Sequence, residues 1–369
     1  MNAQLVPALL AIGGGVVLAL ALFVPYVAAS YRRRGRVGWG HALLAAASLV
    51  YALALVTYTL LPLPASDGDL CSSRIARAGA QLHPFAFVDD IATYDVANPL
   101  RNPAVLQVLF NVALFVPLGA LLRHLGRRSV LTVTLAGAAV SALIELTQLT
   151  GVWFLYPCPY RLFDVDDLLA NTVGALLGGL VAPLLRFVPG QRLAGEPDAP
   201  RPVTIPRRLL GVVCDLLGAW LLGALLATGF VAVVLLAGGD GQEPWVSSTS
   251  MLLGTWVPFV LLFVLLPMVG RGGTLGQRTV LLRPALRDGG VPGRGALLAR
   301  SLLGVGGYVL LQGLEASGGL AGLWGLAGLI GILATADRRG IGGALTSTTL
   351  LDRRAVAPAE HEDGDRVRR

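Results

Sequence analysis

Long apolar windows alternate with short polar connections along the whole chain. A helix that crosses a bilayer needs about 20 mostly apolar residues at 1.5 Å rise each. Windows that meet or approach this length lie at roughly 5–29, 41–62, 105–122, 129–150, 167–185, 209–237, 251–269, 301–316 and 319–336. The eighth is short and rich in glycine. The pattern predicts an all-α, polytopic transmembrane helical bundle of about nine helices. The first window is too long for a signal-peptide core, and no small-residue cleavage site follows it before Arg32-Arg33-Arg34, so it is expected to remain as a helix.

The polar connections alternate in charge. Connection 30–40 holds Arg32, Arg33, Arg34 and Arg36 and no acid, whereas 63–104 holds Asp67, Asp69, Asp89, Asp90 and Asp95 against Arg74, Arg77 and Arg101. Arg123, Arg127 and Arg128 follow the third window, 151–166 leans acidic, and Arg186, Arg192, Arg201, Arg207 and Arg208 follow the fifth. The 238–250 loop has only Asp240 and Glu243, the 270–300 loop carries Arg271, Arg278, Arg283, Arg287, Arg294 and Arg300 with Asp288, and Arg338-Arg339 closes the series. Basic connections belong on the cytoplasmic side. The N-terminus is therefore expected outside and the C-terminus in the cytoplasm.

Composition agrees with a lipid environment. Of 369 residues, 54% are apolar and 14% charged, with a mean hydropathy of +0.69; soluble proteins carry about 25% charged residues. The formal net charge is +7 and every basic residue is Arg. Those arginines sit in short runs beside apolar windows, without the basic face or aromatic interleaving of a nucleic-acid site, so no nucleic-acid partner is expected. Membrane lipids are. A Pro- and charge-rich stretch at 187–206 reads as a cytoplasmic linker between a five-helix domain (1–186) and a four-helix domain (207–351). The charged tail 352–369, with its EHEDGD run, is expected to be disordered.

Polar residues inside apolar windows are costly and mark bundle interiors or wet cavities. Gln107 and Asn111 lie one turn apart in the third window, Glu145 and Gln148 share a face in the fourth, and Asp167 and Asn171 share one in the fifth. With the expected topology all lie near the exterior ends of their helices, and Arg161, Asp164 and Asp166 sit just outside. Two readings stay open here. Asp164 or Asp166 caps the fifth helix, Arg161 neutralises nearby acids and the two Asn glue helices together; or the group lines an outward-facing pocket.

At these residues the chain resembles the VanZ-like family of membrane proteins, over about residues 40–186. The matching segments are His83-Pro84-Phe85, Asn111 to Gly119 (NVALFVPLG), Glu145-Leu-Thr-Gln148, and Tyr160 to Gly174 (YRLFDVDDLLANTVG). The resemblance implies a bacterial multi-pass protein of the cytoplasmic membrane, with a role like that of the family's founding member in resistance to glycopeptide antibiotics such as teicoplanin. An outward polar site near the lipid surface suits an amphiphilic ligand, a lipid-linked cell-wall precursor or a glycopeptide antibiotic. Asn111, Glu145, Gln148, Arg161, Asp164, Asp167 and Asn171 are the candidate ligand-binding residues, with Arg161 on an anionic head group.

The second half carries another motif. Arg208 and Asp215 lie on one side of the sixth window, where they could pair, Gly273-Thr274-Leu275-Gly276-Gln277-Arg278 follows the seventh, and Arg300 opens the eighth. This arrangement, over about 204–350, resembles the RDD family of membrane proteins, some of which are described as cation/proton exchangers. Where that family has a His-Asp pair after the last helix, this chain reads Ile341-Gly342-Gly343, with Thr348 retained and Asp337 the nearest candidate for the second Asp. An ion- or proton-coupled transporter is therefore an alternative reading.

Cys71 and Cys158 fall in two exterior loops, where a disulfide is expected, and Cys214 is within the sixth window. His41, His83, His124 and His361 are scattered, and there is no His-Glu-x-x-His, Cys-x-x-Cys pair or Gly-x-Ser-x-Gly elbow. No enzymatic activity, cofactor or resident metal is expected, although Asp164, Asp166, Asp167 and Glu145 leave a metal-dependent lipid-phosphate enzyme as a further alternative.

Overall fold

The structure is a computed structural model that describes residues 5–63, 71, 78–94, 98–191, 196, 198–314 and 318–355. Asp67, Asp69, Arg74, Arg77, Asp95 and residues 356–369 of the expected tail lie outside the described residues.

Among the described residues seven helices are long and apolar enough to span a membrane. They are α1 (Leu5–Arg34), α2 (Trp39–Leu60), α3 (Pro103–Gly126), α4 (Val130–Leu149), α5 (Val165–Val181, extended by a tighter turn to Phe187), α6 (Ile205–Leu236) and α7 (Pro244–Met268). The eighth window is instead a pair, α8 (Arg294–Leu302) and α9 (Val305–Gly313), bent by 61°. The ninth forms α10 (Gly318–Ala334), 17 residues long. The expected nine spans thus become seven, one broken span and one shorter apolar helix. Glycine explains the break: a Cβ on Gly306 would come within 2.8 Å of the Ser301 carbonyl oxygen, and one on Gly307 would overlap that of Leu302.

The chain divides into two compact units, 1–19 with 38–192 and 20–37 with 193–369. The division inside α1 departs from the expected five-plus-four arrangement. Val27 and Tyr31, in its C-terminal half, are buried with Cys214, Val280, Leu282 and Leu350 of the second unit, so this half of the helix supplies core to a unit whose remaining chain begins only at Leu193. The two described ends of the Pro-rich 187–206 stretch are likewise tied to their neighbours. Gln191 donates to Leu185 O (2.6 Å) and Val188 O (2.9 Å) and meets His124 at 2.5 Å, while Arg201 N donates to Asp352 at 3.1 Å.

In the first unit, local signals start each helix. Asn102, followed by Pro103, accepts from Ala104 N at 3.0 Å, Ser129 accepts from Thr132 N at 3.1 Å, and Asp164 accepts from Asp166 N at 2.8 Å, each satisfying an otherwise orphaned helix N–H. Helices α3 and α5 meet backbone to backbone: a Cβ at Gly119 would overlap the Ala175 carbonyl oxygen, and ones at Gly174 and Gly178 would overlap those of Val112 and Val116. Such small-residue contacts replace the hydrophobic driving force that lipid removes. Phe115, fully buried, and Leu55 close on Ala175, and Tyr51 on α2 donates to Leu114 O at 2.7 Å.

In the second unit, Thr204 with Pro206 starts α6. In α7, π-helical turns at Leu252–Trp256 and Val260–Leu265 flank Pro258, whose missing N–H breaks the regular hydrogen-bond ladder. The fold is not wholly helical. β1 (Ala80–Gln81) pairs in parallel with β2 (Phe163–Asp164) in the first unit, and β3 (Leu282–Ala285) pairs antiparallel with β4 (Thr349–Asp352) in the second. The expected tail therefore begins later: Asp352 is a buried strand residue.

Candidate functional site

The polar end of the first unit is assembled where α3, α4 and the lead into α5 meet. Asp166, 6% exposed, is the organiser. Its Oδ1 accepts from Phe85 N (2.6 Å) and its Oδ2 from Phe87 N (3.0 Å), fixing the loop that precedes the short helix Phe87–Thr93. Gln81 Nε2 bridges Asp164 (3.3 Å), Asp166 (3.4 Å) and His83 O (2.9 Å). Glu145, 3% exposed, accepts from Asp164 N at 3.1 Å. Asp167 accepts from Gln107 at 3.2 Å and from Asn111. Gln148 donates to Thr59 O at 2.7 Å, and Asn171 donates to Ser141 Oγ at 2.9 Å while its own Oδ1 is buried without a partner among the described residues. Burial holds the Asp164 carboxyl above its ordinary range, and the neighbouring Asp166 charge adds to that rise.

Arg161 stands apart. It is half-buried, and among the described residues its Nη2 reaches only the Leu61 carbonyl, at 3.4 Å, and it makes no ion pair. Around this end Trp153, Phe154, Leu155, Leu82 and Phe85 are exposed, the kind of apolar and aromatic fringe found at a membrane–water boundary. Cys71 and Cys158 are joined by a disulfide.

The second unit holds a cavity of about 210 Å³. Its charged lining is Arg208, Arg300, Arg339 and Asp215. Asp215, 3% exposed, accepts from Thr274 Oγ1 (2.7 Å) and Gly276 N (2.6 Å), which fills both oxygens. Thr274 and Gln277 form a reciprocal capping box that starts the short helix Leu275–Thr279. Gly276 is required there because a Cβ would overlap the Gly211 carbonyl oxygen. Arg300 donates to Thr348 Oγ1 (2.5 Å) and Arg339 O (3.2 Å), and Arg208 to Arg338 O. Arg278 lies off the cavity, on the carbonyls of Gly273 (3.0 Å), Leu266 (2.7 Å) and Val269 (2.6 Å), and burial lowers its pKa, with Arg353 pushing the same way.

In the first unit, four segments far apart in sequence, around His83, Asn111, Glu145 and Arg161 to Asn171, are thus tied by hydrogen bonds at one end of three helices. Residues 48–186 match the VanZ/LLP1 family model. The chain is a multi-pass membrane-helical protein that carries a VanZ-like domain. No curated protein and no solved structure matches it. The RDD-like reading of 204–350 gains nothing from these comparisons and rests on its motif residues alone.

Within the VanZ-like domain, Asn111 and Asp167 come together, as do Glu145 and the Asp164 backbone; Gln148 and Asn171 turn to other partners, Thr59 and Ser141. Asp164 caps α5 and Asp166 does not; it serves the loop instead. Arg161 neutralises neither Glu145 nor the aspartates by direct contact. In the second half Arg208 and Asp215 attract each other only through space: Gly276 N and Thr274 Oγ1 bond the carboxylate, and Arg208 donates to Arg338 O. Asp337 is exposed and does not take the place of a second buried Asp. The ion pair that does form, the only one among the described residues, joins Arg207 to Asp352 at 2.8 Å. Arg207, Asp352, Arg339 and Gln81 were all missed in the sequence. The Arg207-Arg208 and Arg338-Arg339 doublets were the available signal, since they read equally well as topology charges.

Proposed function

We propose that the VanZ-like domain binds an amphiphilic cell-envelope molecule, a glycopeptide antibiotic or a lipid-linked cell-wall precursor, at its polar end, and that this end faces the exterior. Arg161 carries the reading. A half-buried guanidinium beside an apolar fringe, with no carboxylate within ion-pair distance among the described residues, is matched to an anionic head group whose tail stays in lipid. Asp166, Asp164 and Glu145 order the backbone at this end of the domain, and the disulfide agrees with an oxidising, exterior location. A glycopeptide-resistance role would follow if capture of drug or precursor changes what reaches the cell wall.

Binding of teicoplanin and of a lipid-linked precursor to the full-length protein in nanodiscs tests this. Arg161→Ala is expected to weaken binding by about tenfold or more, the loss of one charge-assisted hydrogen bond, with partial recovery in Arg161→Lys. Equal binding by folded wild type and Arg161→Ala overturns the assignment. Drug susceptibility of a deletion strain, complemented by wild type or Glu145→Gln, addresses the resistance role. The two alternatives draw less support. Cation exchange in the second half would use Asp215, whose oxygens are both engaged beside three arginines. A metal-dependent phosphate enzyme would need the acids around Asp164, and Asp164 and Asp166 spend oxygens on backbone N–H groups.

A further inference from the structure

We propose that the cavity of the second unit binds the oxyanion of a phosphate-headed amphiphile, with the head among Arg208, Arg300 and Arg339 and the tail against the apolar wall. Charge is the first argument. Three guanidiniums line the cavity against one carboxylate, and that carboxylate is satisfied by Thr274 and Gly276. Arg208 and Arg300 donate to backbone carbonyls and to Thr348, and none of the three arginines makes a direct ion pair among the described residues. Unneutralised buried cations are costly, and a bound anion removes that cost.

Unmet donors are the second argument. Arg300 Nε and Ser301 Oγ, on residues only 6% and 4% exposed, and Arg339 Nε have no hydrogen-bond partner among the described residues, and all three residues line this cavity. Three segments, the start of α6, the end of α8 and the turn after α10, deliver the guanidiniums, an arrangement fitted to an acceptor with several oxygens.

Shape is the third. The cavity is roughly ten to twenty times what one water needs. From Arg208 the lining continues along α6 to Leu216, two turns and about 12 Å further on, and is completed by Val305, Tyr308, Trp324 and Leu329. A headgroup at the arginines thus has an apolar path beside it.

The full-length protein in neutral detergent, analysed by native mass spectrometry, would be titrated with phosphatidylglycerol, phosphatidylcholine and inorganic phosphate. One equivalent of phosphatidylglycerol is expected to bind in preference to phosphatidylcholine. Arg339→Gln should weaken it by about tenfold or more, as for one lost charge-assisted bond. Gly328→Leu keeps every charge and adds bulk where a Cβ meets open space on the cavity wall. It should block phosphatidylglycerol and spare inorganic phosphate. If inorganic phosphate binds, fails in Arg339→Gln, and Gly328→Leu changes neither ligand, the oxyanion site stands and its lipid tail does not. Phosphatidylglycerol binding no better than phosphatidylcholine, or unchanged in both Arg339→Gln and the milder Arg300→Lys, overturns the proposal. These outcomes are independent of Arg161, so failure here leaves the VanZ-like reading untouched.

Discussion

Asp166 shows how one buried carboxylate can organise a site without being the site's reactive group. Each oxygen accepts a backbone N–H from a loop some 80 residues earlier. Asp166→Ala leaves Phe85 N and Phe87 N without their acceptor, so amide exchange at both positions should accelerate and stability should fall by about 1.5–3 kcal/mol per lost charged bond. Hydrogen-exchange mass spectrometry of the 81–90 peptide reads this directly. Asp164 gives a pH signature. Its native pKa lies above the ordinary value of about 3.9, so the folded protein holds this proton more tightly than the unfolded chain. Its contribution to stability is fully present below that ordinary value and declines as pH rises through the elevated native one. Asp164→Asn should flatten that part of the melting-temperature profile; an unchanged profile assigns the dependence to another group. At this scale the sequence was half legible. Helical spacing brought Asn111, Glu145, Asp167 and Asn171 into view as candidates, because intramembrane polarity is conspicuous. It did not choose between capping by Asp164 and by Asp166, since that depends on where the Gln81–Phe87 loop arrives.

Among elements, the α3–α5 contact depends on the absence of side chains at Gly119, Gly174 and Gly178. Gly178→Ala should destabilise the unit by about 1–3 kcal/mol, the usual cost of overpacking, whereas Gly13→Ala, where a Cβ meets nothing within 4 Å, should be close to neutral. Thermal melts of the purified variants in one detergent compare them. The apolar windows predicted α1 to α7 well because length and hydropathy suffice for an unbroken span. The Gly-Val-Gly-Gly run at 304–307 was visible as a weakness in the eighth window, but the 61° bend needed the crowding around Ser301 and Leu302 to be seen. Strands β3 and β4 were illegible, being four residues each with no alternation of burial in β3.

For the whole molecule, orientation is the expectation on which the exterior placement of Arg161 depends. A cysteine at Gln242, in the acid-leaning loop after α6, should react with a membrane-impermeant maleimide in intact cells, and one at Arg287 should react only after permeabilisation. The opposite pattern would put the VanZ-like polar end in the cytoplasm. The composition break near 187–206 was legible, while the transfer of Val27 and Tyr31 to the second unit was not, because their apolar pattern continues unbroken through α1.

The Arg207–Asp352 pair carries a consequence for biosynthesis. Its partners lie 145 residues apart, and the guanidinium, 4% exposed, stands on the first helix of the second unit to leave the ribosome after the linker. Until Thr349–Asp352 has been synthesised, Arg207 lacks its carboxylate partner and β3 lacks its neighbour. A nascent chain stopped at 348 should be cleared by membrane quality-control proteases, while one stopped at 355 should accumulate to full-length levels. Pulse-chase of the two truncations would show whether the final strand is the closing step of assembly.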